Sequence, residues 1–323
     1  MALGEIPKRR KRETQRQTKP INKIGHIMKN LKSLKGTLAI ALLILGSACT
    51  STVTQTPAPV IEENLALKAA LSQQAEENKA RYQSRNPEAT LNFFGIKPGM
   101  TVVEALPGGG WYSKILLAYL GVNSQLIGVD YSQKLWPNFS FMTAERIEAK
   151  KTWVSTWSTQ AEQWRDDDGA SIAAFQFDEM PASMVGSADA ILFIRALHNL
   201  ARFEANGNFL SNSLKETYTI LKPGGIVGVV QHQAREDRPD DWSNGDNGYL
   251  KKSFVVAKMQ AAGFEFVGES NINENTQDQA TVGDIVWRLP PSLSGSKDDD
   301  EKRSAMLAIG ESNRMTLKFR KPL

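Results

Sequence analysis

Residues 101–112 read TVVEALPGGGWY. Apolar, β-branched residues over 101–106 predict a buried strand, and Gly108, Gly109 and Gly110 then force a tight turn into a helix. Five further apolar runs have strand length: 125–130, 171–177, 189–195, 226–232 and 264–270, with a seventh at 315–321. The first five of the seven are separated by helical or long connecting segments. That alternation predicts parallel strands joined by crossovers, in an α/β doubly wound sheet with seven mostly parallel strands. Residues 61–83 are rich in helix formers. Asn86-Pro87-Glu88 reads as a capped helix start ending near Gly95, and 250–261 as a helix closed by Gly263. The acidic run 298–301 (DDDE) reads as a solvated loop in the long stretch 271–314.

A glycine turn between strand and helix lets backbone N–H groups approach a ligand closely, at the favourable helix N-terminus. Glu104 ends the first strand, where a carboxylate can bind an ammonium or hydroxyl. Asp130 ends the second, where an acid suits the diol of a ribose. A further turn, LKPGG at 221–225, leads into the fifth strand. His198 and His232 follow the fourth and fifth strands, on the carboxyl edge where open α/β sheets place ligands. Arg195, Tyr249 and the Trp111-Tyr112 pair are candidates to line an acceptor pocket there. Gln176 and Asp178 are weaker candidates at the end of the third strand. The sequence contains no HExxH, GxSxG, P-loop or metal-ligand cluster.

These residues in this order resemble the class I S-adenosylmethionine-dependent methyltransferases. On that resemblance Glu104 takes the acidic position, and Gly108 and Gly110 take the second and third glycines of the loop, with Gly109 between them. Asp130, followed by Tyr131, takes the ribose position. Leu106 stands where the family has its first glycine. PGGGWY, LKPGG, WRLPP (287–291) and the terminal LKFRKP are similar to one bacterial group of predicted methyltransferases carrying export signals. The resemblance runs from about residue 86 to the end. It implies a Rossmann-like fold, S-adenosylmethionine as cofactor, and methyl transfer to a small-molecule or cell-envelope acceptor. His198, His232 and Tyr249 are then the catalytic candidates. Two other readings stay open. One is a methyltransferase-like domain that binds a ligand without catalysis. The other is a nicotinamide-dependent oxidoreductase, because Gly108, Gly110 and Ser113 partly fit GxGxxG and Asp130 lies twenty residues beyond Gly110.

The chain has 323 residues, 41% hydrophobic and 23% charged, enough to bury a core. Its net charge of +4 is unevenly spread. Residues 1–35 carry eleven Lys/Arg against Glu5 and Glu13, a net +9; the remainder carries 28 against 33, a net −5. A mildly acidic folded part removes the main support for a nucleic-acid partner. The single cysteine, Cys49, excludes a disulfide framework and a multi-cysteine metal site. Before it, residues 38–48 (LAIALLILGSA) are too short to span a bilayer and have the proportions of a signal-peptide core. The pattern resembles a bacterial lipoprotein leader, with Cys49 lipidated and the domain anchored in the envelope, facing the periplasm. The expected organisation is a disordered basic extension (1–27) ahead of a start at Met28, a leader (28–48), a tether (49–60), N-terminal helices (61–98) and the α/β domain (99–323). That location conflicts with a cofactor made in the cytoplasm, and the conflict is what keeps the non-catalytic reading open.

Overall fold

The computed structural model describes residues 64–323; the leader, Met28, Cys49 and the tether lie outside the described residues. All seven apolar runs form strands: β1 (Thr101–Ala105), β2 (Gln125–Asp130), β3 (Ser171–Gln176), β4 (Ala188–Ile194), β5 (Leu221–Ala234), β7 (Glu265–Ser270) and β8 (Arg314–Arg320), with a two-residue β6 (Leu250–Lys251) between the fifth and the sixth of them. They lie in the order β3-β2-β1-β4-β5-β8-β7, with β6 beside the far end of β5. The first five are mutually parallel, and β8 runs antiparallel between β5 and β7. The architecture is a doubly wound, Rossmann-like, mostly parallel sheet with helices on both faces.

Strand periodicity divides the core into two layers. On β1, β2 and β4 the residues Val103, Ala105, Ile127, Val129, Ile191 and Phe193 enter one layer, packed with the helices Leu197–Arg202, Phe209–Ile220 and Lys252–Ala261. Their alternates Val102, Leu126, Ala190 and Leu192 enter the other, under the helices Leu65–Ser72, Pro87–Phe94, Trp111–Leu120 and Trp153–Glu162. A strand buried on both faces reads as a continuous apolar run for this reason.

From the helix-forming stretch 61–83 the described residues form three short helices, Leu65–Ser72, Glu76–Lys79 and Tyr82–Arg85. Other local expectations are corrected. Asn86 adopts left-handed backbone (φ 41°) ahead of Pro87, and its amide donates to the Ile272 carbonyl rather than capping the helix. Residues 222–225 bulge out of the β4–β5 ladder, which jumps from Ala188–Leu221 to Ala190–Ile226. The helix expected over 250–261 starts at Lys252, because Leu250 and Lys251 pair with Gln233 and Ala234 of β5. The acidic run is the start of the helix Asp300–Ile309, where the Asp299 carboxylate accepts from the Lys302 N–H and Asp300 and Glu301 fill the first turn. Acidic side chains there are favoured by the helix dipole.

Residues 235–249 and 271–313 pack together beyond the sheet around a small core of Ala234, Trp242, Tyr249, Ala280 and Val286. An ion pair stitches this layer. The fully buried Asp278 carboxylate accepts from the Tyr249 hydroxyl (3.0 Å), the Arg288 guanidinium (3.0 Å) and the Asn313 N–H (3.0 Å). Arg288 also donates to Asp284 and to the Tyr249 oxygen. Every buried polar group in the set thereby has a partner, the condition under which such a network stabilises.

Candidate functional site

A cavity of about 330 Å³ opens at the carboxyl ends of β1, β4 and β5. Its floor comes from the strand ends and the glycine turn: Glu104, Leu106, Pro107, Gly108 and Gly109, then Trp111 and Tyr112. Its far wall is His198, Asn199, Arg195 and His232, and its roof is Val286, Trp287, Leu289, Pro290, Pro291 and Ser292 with Glu311 and Ser312. Because β8 is antiparallel, its first residue, Arg314, pairs with His232 at the end of β5. The segment entering β8 is thus delivered to the same edge at which the parallel strands finish.

The turn after β1 keeps the tight geometry that a glycine loop needs. Leu106 holds φ 56°, and its N–H donates to the Val129 carbonyl at 2.7 Å. A leucine in that region is strained by about 1–2 kcal/mol, so the backbone path is retained at the position where the resemblance places a glycine. Arg195 repeats the device at the end of β4, with φ 59° and its N–H on Val230 at 2.6 Å. Gly110 is required for a second reason: a Cβ there would lie 2.3 Å from the Trp164 ring.

Glu104 is 3% exposed and accepts from the Ser113 hydroxyl at 2.5 Å. Burial pushes its carboxyl up to about 8, against the opposing pulls of Ser113 and Arg195. The two histidine rings lie 5.4 Å apart, and Trp287 packs edge-on against His198 at 5.9 Å. His198 faces the Gln231 amide oxygen at 3.4 Å, and His232 Nδ1 pairs with the Ser312 hydroxyl at 2.6 Å. Burial pushes His198 down to about 4; burial, His198 and Arg195 hold His232 well below the ordinary range. Both rings are neutral at pH 7. In the tautomer where His232 Nδ1 donates to Ser312, Nε2 carries the free lone pair.

Glu311 and Arg195, both on the cavity wall, belong to a cluster that the sequence did not reveal. Glu311 is approached by Arg85 (3.1 Å), Arg314 (3.2 Å), Arg81 (3.4 Å) and Arg195 (4.0 Å). Burial opposes its ionisation, but Arg85 and Arg314 outweigh that and hold its carboxyl below the usual range. Arg314 also donates to the Ser312 and Ser84 carbonyls, and Arg85 stacks over Trp111 at 4.8 Å. These residues are separated by up to 230 positions, so no motif could have joined them.

Of the expected site residues, Glu104, Gly108, Gly109, His198 and His232 are brought to one cavity, with Arg195, Trp111 and Tyr112. Gly110 supports the turn from behind. Asp130 stands outside the cavity lining, 5% exposed and paired with Lys150 at 3.2 Å, whose ammonium lies 4.0 Å from the Trp136 ring centre. Burial pushes the Asp130 carboxyl up, against the pull of Lys150. Tyr131 is buried, and its hydroxyl accepts from Asn199 at 2.8 Å. Tyr249 is wholly buried behind His232, ring centres 6.3 Å apart, with its hydroxyl committed to Asp278 and Arg288. Gln176 donates to the Tyr131 and Lys150 carbonyls, and Asp178 accepts from Ser132; neither lines the cavity. No group of three or more metal-ligating side chains occurs among the described residues. None of their helices is long and apolar enough to cross a membrane.

No protein-family model matches the chain, and no curated protein matches it. Among solved structures it is similar to geranyl diphosphate C-methyltransferase from Streptomyces coelicolor A3(2), at 15% identity over 78% of this chain and 87% of that one, TM-score 0.45. It is similar to a SAM-dependent methyltransferase from Aquifex aeolicus, at 16% identity over 66% and 94%, TM-score 0.42. It is also similar to the cyclase SpnF, at 17% identity over 74% and 81%, TM-score 0.45. These are likenesses of fold and assign no reaction to this chain.

Proposed function

We propose that the protein binds S-adenosylmethionine and transfers its methyl group to a small-molecule or cell-envelope acceptor. The observation that carries this reading is the strand–glycine-turn–helix of residues 101–120 opening, with the buried Glu104 carboxyl, into a cavity that also holds two neutral histidines. The residues fit the cofactor in part. Beyond the adjacent residues of the chain, no atom lies within 4 Å of where a side chain would start at Gly108 or Gly109, so the turn leaves backbone free for a ligand. Asn199 Oδ1, buried and unpaired among the described residues, is an acceptor on the cavity wall. The diol position is covered, since Lys150 occupies Asp130; Lys150 is 29% exposed and sits on the helix Ala144–Lys150, which contributes no buried residue.

When bound, S-adenosylmethionine supplies an electrophilic methyl group on a sulfonium. Glu104 would hold the ammonium of its amino-acid end, whose charge favours release of the proton that burial keeps on the carboxyl of the free protein; Gly108, Gly109 and Gly110 would admit close approach, and Asp130 with Tyr131 would face the ribose once Lys150 moves aside. His198 and His232 line the remaining space as neutral imidazoles, able to orient an acceptor and take its proton. Tyr249 acts at one remove, holding the His232 side of the roof. The Asp130–Lys150 pair also supports a second reading, a ligand-binding domain of this fold that no longer transfers methyl groups. The leader sequence supports attachment through a lipidated Cys49 in the bacterial envelope, and Cys49→Ala should release the expressed protein from the membrane fraction.

Thermal unfolding of the full-length protein with S-adenosylhomocysteine, S-adenosylmethionine or NAD tests the reading. Ligand at a hundred times its dissociation constant adds about 2.7 kcal/mol, a shift of several degrees. A saturable shift with the adenosyl ligands and none with NAD supports the cofactor; no shift at millimolar concentration refutes it. With binding established, His232→Asn should abolish methyl transfer from the labelled cofactor to envelope extracts while leaving the thermal shift in place. Absence of transfer by the native protein favours the second reading.

A further inference from the structure

Charge in and behind the cavity does not balance. Four guanidinium groups, from Arg81, Arg85, Arg195 and Arg314, converge on one carboxylate, Glu311, all within 4.0 Å of it. Arg85 and Arg314 satisfy that carboxylate at close range, and both are almost wholly buried. Arg195 is left over. Among the described residues its one ion pair is the 4.0 Å approach to Glu311, its side chain makes no hydrogen bond, and its Nε is buried without a partner. Yet Arg195 lines the open cavity, 27% exposed, with Ser312 and His232 beside it. A guanidinium presents five donors in a planar fork suited to a carboxylate or phosphate, and leaving such donors unpaired in a partly desolvated site is costly. Its backbone is also held in left-handed conformation (φ 59°), a strained geometry that fixes where the side chain starts.

We propose that the Arg195 end of the cavity is an anion subsite, receiving a carboxylate or phosphate group on the Arg195 guanidinium. The anion belongs to the acceptor or to the amino-acid end of the nucleoside. Only this assignment of source rests on the function proposed above; the subsite itself does not. The acceptor suits the site better. Glu104 is already placed for the ammonium of the amino-acid end, and a sulfonium cation entering beside the arginines would meet repulsion that an anionic acceptor relieves. The same anion would also reverse part of the effect by which Arg195 keeps His198 and His232 from taking a proton.

The test follows the Arg195 Nε–H resonance of the full-length, 15N-labelled protein, assigned by its loss in Arg195→Lys. Inorganic phosphate and acetate are titrated at constant ionic strength, with and without saturating S-adenosylhomocysteine. A saturable shift of that resonance, absent with perchlorate at the same concentration, is the expected result. Persistence of the shift with S-adenosylhomocysteine bound assigns the subsite to the acceptor. Its abolition, with Arg195→Gln weakening S-adenosylhomocysteine about tenfold (a loss of 1.4 kcal/mol) but not methylthioadenosine, which lacks the carboxylate, assigns it to the nucleoside. No shift with either anion, in either state, overturns the proposal. A shift with phosphate or acetate in a protein that fails to bind S-adenosylhomocysteine upholds the subsite and refutes the methyl-transfer reading.

Discussion

Replacing Glu104 by glutamine isolates one buried charge and gives it a pH signature. The carboxyl ionises near 4.5 in the unfolded chain and is pushed up to about 8 in the fold, chiefly by burial. Between those limits the unfolded chain has released the proton and the folded chain still holds it, so stability falls as pH rises through that window. The full span is worth about 5 kcal/mol as an upper limit. Glutamine keeps the shape and can still accept from Ser113 but has no proton to lose. Urea unfolding of the native protein and Glu104→Gln at pH 5, 7 and 9 reads the difference directly. The two proteins should agree within about 1 kcal/mol at pH 5, and the variant should be the more stable by roughly 3–5 kcal/mol at pH 9. His198 works in the opposite sense. It is pushed down to about 4, so the unfolded chain takes up its proton first as pH falls from 6.5, and acidification costs stability, up to about 3 kcal/mol. That contribution is common to both proteins and cancels in the comparison. Parallel stability curves for the two, with a constant gap from pH 5 to 9, would refute the claim that Glu104 is held protonated at neutral pH.

Gly110→Ala should cost about 2–4 kcal/mol in denaturant unfolding, combining a left-handed backbone with the 2.3 Å approach to Trp164, whereas Gly108→Ala, with open space at its Cβ, should cost only about 1–2. Asp278→Asn removes the charge that holds Arg288 and should destabilise the protein by about 3–5 kcal/mol; a loss under 1 kcal/mol would show that the network does not hold the roof. In calorimetric titration with S-adenosylhomocysteine, Asp130→Asn should weaken binding about tenfold or more, and Lys150→Met, by uncovering the carboxylate, should strengthen it about threefold. Unchanged affinity in both variants would remove Asp130 from the site.

The sheet was legible chiefly because its central strands β1, β2 and β4 are buried on both faces. Val102 and Val103, or Leu126 and Ile127, are apolar in succession, and such runs, punctuated by PGGG and LKPGG, name both the element and its connections without reference to the rest of the chain. Glu104, the glycine turn and the two histidines could be placed at one edge for the same reason, since residues ending parallel strands share that edge by topology. Residues 61–83 were legible as helix formers, but not where that stretch divides into Leu65–Ser72, Glu76–Lys79 and Tyr82–Arg85, because propensity is similar along it. The covering of Asp130 by Lys150, the retreat of Tyr249 into a network with Asp278 and Arg288, and the meeting of Arg81, Arg85, Arg195 and Arg314 on Glu311 depend on segments 10 to 230 residues apart. Local sequence determines which backbone conformations are affordable and which faces are apolar. Only the antiparallel insertion of β8, which turns the segment before it back over the ends of the parallel strands, decides which charges meet there and which of them is left without a partner.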